Sequence, residues 1–108
     1  MSTAPRAVLA ALFIASAGSA YAAGDVEAGR IKANTCMGCH GIPNYTNAYP
    51  TYRVPRLGGQ HPEYIVTALK EYRDGKRAHP TMHVQALSLS DQDIEDISAY
   101  LAKAPAHK

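Results

Sequence analysis

The chain has no tryptophan, a single phenylalanine and only two cysteines in 108 residues. The phenylalanine, Phe13, lies in the N-terminal stretch "MSTAPRAVLAALFIASAGSAYA", so from residue 23 onward tyrosine is the only aromatic residue. Large aliphatic residues are scarce as well. Isoleucine, leucine and valine make up 14 of the 86 residues from 23 to 108, below the roughly 20% that marks chains unable to bury enough apolar surface. An excess of charge of one sign is also missing, with 10 basic and 9 acidic residues over the same span. That balance excludes self-repelling disorder and argues against nucleic acid as a partner. Convincing strand alternation, internal repeats and linkers are absent too. A chain with an undersized peptide core and no electrostatic reason to stay unfolded points to something apolar other than protein at its centre.

The N-terminal stretch has a short basic start at Arg6, an apolar run of small residues from Ala7, and Ala20 and Ala22 at the spacing of a signal-peptidase site. Residues 1 to 22 therefore read as a secretory signal, placing the rest in the periplasm with no stable membrane insertion after cleavage. The run is short and broken by Ser and Gly, which disfavours a permanent anchor. Residues 23 to 108 are enough for one small domain and not for two.

Within that domain the pattern is all-α: three main helices and one long irregular stretch. The first is expected from Asp25 to about Thr35, with Asp25 as N-cap and Val26, Gly29 and Ala33 on one face. Gly29 inside a helix costs about 1 kcal/mol against Ala. The second opens at "QHPEYIVTALKEYRDG", with Pro62 in its first turn, Ile65, Leu69 and Tyr72 on one stripe, and Gly75 as its stop. The third, "LSLSDQDIEDISAYLAKA", carries a capping-box pair in Ser90 and Asp93 and a buried stripe of Ile94, Ile97 and Leu101. From Gly41 to Gly59 the Pro, Gly, Asn and Tyr content forbids a long helix or a central strand, and a loop of that length in so small a domain must wrap around something.

Both cysteines fall in "ANTCMGCHGIPN", as Cys36 and Cys39, with His40 next. A dithiol oxidoreductase needs a strand–helix–strand framework that the pattern does not contain, and a zinc site would need His61, His79 or His83 at a spacing no common site uses. Cys-x-x-Cys-His is the attachment signature of c-type haem: two thioethers to the vinyl groups and one imidazole to the iron, here expected on a tight turn. One covalent haem c also supplies the missing core.

For the distal ligand the choice is narrow. Met1 leaves with the signal, and Met37 is held between the two cysteines. Met82 lies in "HPTMH", expected to be a non-helical stretch able to lay a side chain across the haem, with His79 and His83 as rivals. Tyr45, Tyr49, Tyr52, Arg53 and Arg56 in the wrapping loop are candidates to pair with the haem propionates, or, for the tyrosines, to cover the haem edge with their rings. His61 and His107 read as solvated.

Three further segments, "VPRLGGQHPEYI", "EYRDGKR" and "MHVQALSLSDQDIEDISAYL", together with "CMGCHG", make the chain from Asp25 to Leu101 resemble the class I cytochromes c, small bacterial monohaem types related to cytochromes c4, c5 and c553. The resemblance implies that Cys36 and Cys39 hold the haem and that His40 and Met82 are its axial ligands, Met82 standing eight residues before the capping Ser90. It further implies that the Pro55 carbonyl accepts the ring proton of His40, and that Gly29 lets the first helix cross closely against Tyr100.

The function expected is single-electron transfer between redox protein partners by Fe(III)/Fe(II) cycling, without enzymatic chemistry, since six-coordinate iron has no open site. The alternatives are the haem subunit of a larger dehydrogenase or flavocytochrome complex, and a haem sensor or peroxidase-like protein with a labile distal ligand. Lys70, Arg73, Lys76 and Arg77 form a basic cluster that could steer an acidic partner, and Asp91, Asp93, Glu95 and Asp96 an acidic one.

Overall fold

The computed structural model describes residues 2–5, 10–11 and 24–105, so the expected export signal lies largely outside the described residues. Among the described residues five helices and one minimal hairpin follow in order: α1 Val26–Lys32, α2 Asn34–His40, β1 Thr46–Asn47, β2 Tyr52–Arg53, α3 Pro62–Arg73, α4 Pro80–Leu87 and α5 Asp91–Lys103. The three main helices expected from the pattern are α1, α3 and α5. Among the described residues no helix is long and apolar enough to cross a membrane.

Local chemistry sets each boundary. The Asp25 carboxylate accepts from the Ala28 N–H at 2.9 Å and starts α1. Instead of running on to Thr35, α1 ends at Ala33, and a separate helix, α2, begins. Pro62 takes the first position of α3, and Gly75, at φ +76°, follows its C-cap in the left-handed region that glycine tolerates best. α5 opens with the expected capping box, Ser90 Oγ accepting from Asp93 N–H at 3.1 Å and Asp93 Oδ2 from Ser90 N–H at 3.0 Å.

The stretch around Met82 departs from expectation, because it is helical. Pro80 occupies the first position of α4, where a missing N–H costs nothing, and the His79 ring accepts the Met82 N–H as a cap. His79–Pro80 repeats the arrangement of His61–Pro62 at the start of α3. The expected loop from Gly41 to Gly59 likewise contains a two-residue antiparallel ladder, Thr46 opposite Arg53 and Asn47 opposite Tyr52. Its far end is pinned to α5 by the Gly59 N–H, which donates to the Leu101 carbonyl at 2.9 Å.

α5 is the centre of the packing, contacting both α1 and α3, while α4 lies against α3. Ala33, Ile65, Leu69, Ile94, Ile97 and Leu101 form the buried cluster, with Met37, Leu57, Val66, Met82, Leu89 and Tyr100 packed partly buried against it. At the α1–α5 crossing, a side chain on Gly29 would collide with the Asp96 carbonyl and with Tyr100 Cβ. Asp96 itself is buried. Its carboxylate accepts from the Asp25 N–H (2.8 Å), from Lys32 Nζ (2.6 Å) and from Gln92 Nε2 (2.9 Å). Lys32 also pairs with Asp93 at 2.8 Å, and Arg73 with Asp91 at 2.8 Å. Most of the acidic run at the start of α5 is therefore committed to cations of α1 and α3.

Candidate functional site

α2 organises the site. Cys36, Cys39 and His40 stand at i, i+3 and i+4, the spacing that aligns side chains on one face of a helix. The two thiols are free and half-buried. Burial pushes the Cys36 thiol up, against smaller opposing hydrogen bonds from Thr35 and its own backbone. A raised thiol is the reverse of what a dithiol oxidoreductase uses, since its attacking cysteine is poised as a thiolate.

The next side chain along this face, His40, is oriented from the loop. Its Nδ1 lies 2.6 Å from the Pro55 carbonyl oxygen. A carbonyl only accepts, so Nδ1 carries the proton and Nε2 keeps a free lone pair, the arrangement that metal-ligating imidazoles adopt. Two alkylatable thiols and one ligand-ready imidazole on a single helical face fit a covalent haem, with iron on the imidazole side.

Across the core, Met82 is the third helical residue of α4 and packs half-buried against the apolar cluster. The histidines flanking it are occupied in different ways. His79 Nδ1 accepts the Met82 N–H at 3.3 Å, so in the neutral ring the proton sits on Nε2 and no lone pair remains for a metal. His83 Nδ1 donates to the Tyr72 carbonyl at 2.7 Å, which leaves Nε2 free. Being one residue on, though, its side chain leaves the helix about 100° away from that of Met82, tied to the end of α3.

In the hairpin, Tyr52 and Arg53 are adjacent and so diverge, as strand alternation requires. The Tyr52 ring meets His79 edge-on at 4.8 Å, whereas the Arg53 guanidinium reaches the Asn44 side chain at 3.3 Å on the exposed side. Tyr49 stands at the tip, 95% exposed. Asn44, Arg53, Val54, Pro55 and Arg56 line an open pocket of about 390 Å³ behind the Pro55 carbonyl. Sequence reasoning missed His79 as the cap that places Met82; Pro80, standing at the start of α4 as Pro62 stands at the start of α3, was a signal for the helix but not for the cap, since His61 makes no side-chain cap. It also missed Lys32 as the counter-ion of Asp96, for which the sequence carries no local sign.

A helix bearing Cys-x-x-Cys-His, a loop carbonyl behind the histidine, and an α-helical shell with a small apolar core define a haem-attaching protein of the c type. Comparison with known proteins agrees. The cytochrome c family profile matches residues 26–105. The chain is 43% identical over 83 residues to cytochrome c4 of Thiocapsa roseopersicina, covering 76% of this chain and 41% of that protein. It is 44% identical over 81 residues to cytochrome c-554(548) of Halomonas halodenitrificans, covering 72% and 94%. The solved cytochrome c4 of Acidithiobacillus ferrooxidans superposes with a TM-score of 0.61 at 28% identity, over 74% of this chain and 49% of that one. The chain belongs to the cytochrome c family, and its prosthetic group is a covalently bound haem c. It spans about two fifths of the length of the matched cytochrome c4.

Proposed function

We propose that this protein is a monohaem electron carrier of the periplasm, passing single electrons between redox proteins with His40 and Met82 as axial ligands and Cys36 and Cys39 as the thioether attachments. The observation that carries the reading is the His40 Nδ1 to Pro55 carbonyl bond of 2.6 Å, which fixes the ring tautomer and leaves Nε2 as the donor. Met82 is supported by its place in the apolar shell and by the occupied lone pair of His79.

When bound, the haem supplies a one-electron couple. The chain's own residues do the rest. His40 is held in one orientation by the loop carbonyl. Met82, fixed on α4, offers a thioether, which favours the ferrous state and raises the potential relative to a second imidazole. The apolar cluster shields Met82, and a haem held by both side chains would have no position open to a small substrate. For the haem propionates the candidates are Tyr52, which meets His79, and Arg53 and Arg56, which line the pocket with Pro55.

The test is an optical spectrum of the oxidised protein produced in a host able to attach haem. The weak sulfur-to-iron band in the near infrared is expected, and is lost in Met82→Ala. Its absence from the wild-type protein would move the distal ligand to histidine or to none, and would favour a sensor or catalytic role.

A further inference from the structure

Beyond the haem shell, the distal side carries a connected series of rings and cations. The Arg77 guanidinium lies over the Tyr72 ring at 4.7 Å and reaches the Tyr64 hydroxyl at 3.5 Å. Tyr72 meets His79 edge-on at 6.0 Å, and His79 accepts the Met82 N–H at 3.3 Å. The outer end of this series, Tyr64, is 49% exposed. The inner end is the backbone of the residue proposed to bind the iron.

Resting on the electron-carrier reading, we propose that Tyr64, Arg77 and Tyr72, with Lys76 beside them, form the docking surface for an acidic redox protein. Charge is the first argument. Residues 70 to 79 carry four cations, Lys70, Arg73, Lys76 and Arg77, against two carboxylates, Glu71 and Asp74. Arg73 is drawn off by Asp91 and Asp74. Among the described residues no ion pair reaches Lys70, Lys76 or Arg77, and Lys76 and Arg77 are exposed. Asp93 and Asp96, which would otherwise offset that charge, face Lys32. A positive patch of this kind speeds the encounter with an acidic face.

Preorganisation is the second argument. Arg77 is held against Tyr72 by ring stacking and by its backbone N–H, which donates to the Glu71 carbonyl at 3.2 Å. Arginine and tyrosine are also the residue types that most often dominate interface energies, and little side-chain freedom remains to be lost on docking. The competing cationic surface, Arg53 and Arg56 in the hairpin loop, also reaches His79 through Tyr52 at 4.8 Å, but Arg53 is turned to Asn44 on the exposed side, and among the described residues no cation of that surface stacks on a ring.

The first experiment maps a paramagnetic trianion, hexacyanochromate(III), on the haem-loaded protein by line broadening of its amide resonances. Broadening centred on Lys76, Arg77 and Tyr64 is expected; a map centred on Arg53 and Arg56, or spread evenly, overturns the proposal. The second compares Lys76→Glu with Arg77→Glu in one protein against the same charge change at Arg30 and Lys103. At low ionic strength, oxidation of the reduced protein by the anionic tris(oxalato)cobaltate(III) should slow about tenfold in the first variant and no more than about twofold in the second. Equal slowing overturns the proposal. Failure of the carrier reading is seen separately, as a protein without a reversible one-electron wave in voltammetry; a wave with the anion mapped elsewhere sinks the docking surface alone.

Discussion

Gly29 is where one hydrogen atom decides how closely two helices approach. A Cβ there would run into the Asp96 carbonyl and would stand 2.9 Å from Tyr100 Cβ, and neither is the far end of a flexible side chain. Gly29→Ala gains helix propensity but must push α1 off α5, and overpacking of this kind costs about 1–3 kcal/mol. We expect the upper end, about 3 kcal/mol, because backbone has to move. Guanidinium melts of the haem-loaded protein would show it as a lowered midpoint, and a loss under about 1 kcal/mol would mean that the crossing opens freely. The contact with Tyr100 was legible in the sequence, through a helical glycine that needed compensation and through the family pattern. The contact with the Asp96 carbonyl was not, because no side-chain pattern reports the position of a neighbouring backbone oxygen.

Between elements, the clearest device is the Asp96 clamp joining α5 to both ends of α1. Its side chain is 5% exposed, and the Lys32 ammonium, followed by the Asp25 N–H, holds its carboxyl down to about 2. An unfolded aspartate titrates near 3.9. A folded-state value below the unfolded one means that the stabilisation is complete above about pH 4 and is lost as the pH falls towards 2. Lys32→Met leaves the carboxylate buried with neutral donors only. With Lys32 one-third exposed in the native pair, we expect a lowered denaturation midpoint at pH 7, by less than breaking a fully buried pair would give. The variant should also show a shallower fall in stability between pH 4 and 2; parallel acid melts for the two proteins would remove the clamp from the account. α4 gives the second prediction at this scale. His79→Ala removes both the cap on the Met82 N–H and the edge contacts to Tyr52 and Tyr72, worth about 2 kcal/mol together. The loss should appear as faster hydrogen exchange confined to residues 80–87. His79→Asn, which restores a capping side chain without the ring, should recover about half; exchange unchanged in His79→Ala would show that α4 is held from elsewhere. α3 and α5 could be read from the sequence because Pro62, Gly75 and the Ser90–Asp93 box mark their ends. α4, which shares a His N-cap and a first-turn Pro with α3, escaped because it is only eight residues long, has no acidic residue in its first turn and has no glycine to mark its end.

For the molecule as a whole, the scarcity of large aliphatic residues returns as a property of the core. Of the nine buried apolar residues among those described, three are alanines, and the remaining six, Val54, Ile65, Leu69, Ile94, Ile97 and Leu101, come mainly from α3 and α5. α2 contributes no buried residue; its Met37 packs partly buried against the core, and Cys36, Cys39 and His40 are half-buried. The hairpin loop is joined to the body by few anchors, among them the Pro55 carbonyl on His40 and the Gly59 N–H on α5. With so few anchors, we expect haem attachment and folding to be coupled, in the way that a structural metal is coupled to the fold of a small domain. The double variant Cys36→Ala/Cys39→Ala, produced so that haem cannot be attached, should retain partial helix in α3 and α5 and lose the cooperative melt of the loaded protein. Circular dichroism at 222 nm against temperature makes the comparison, with a broad, shallow change expected for the variant and a sharp transition for the haem protein. A haem-free chain that melted sharply would mean that this small aliphatic core suffices by itself, and the reason for the undersized core would then have to be sought elsewhere.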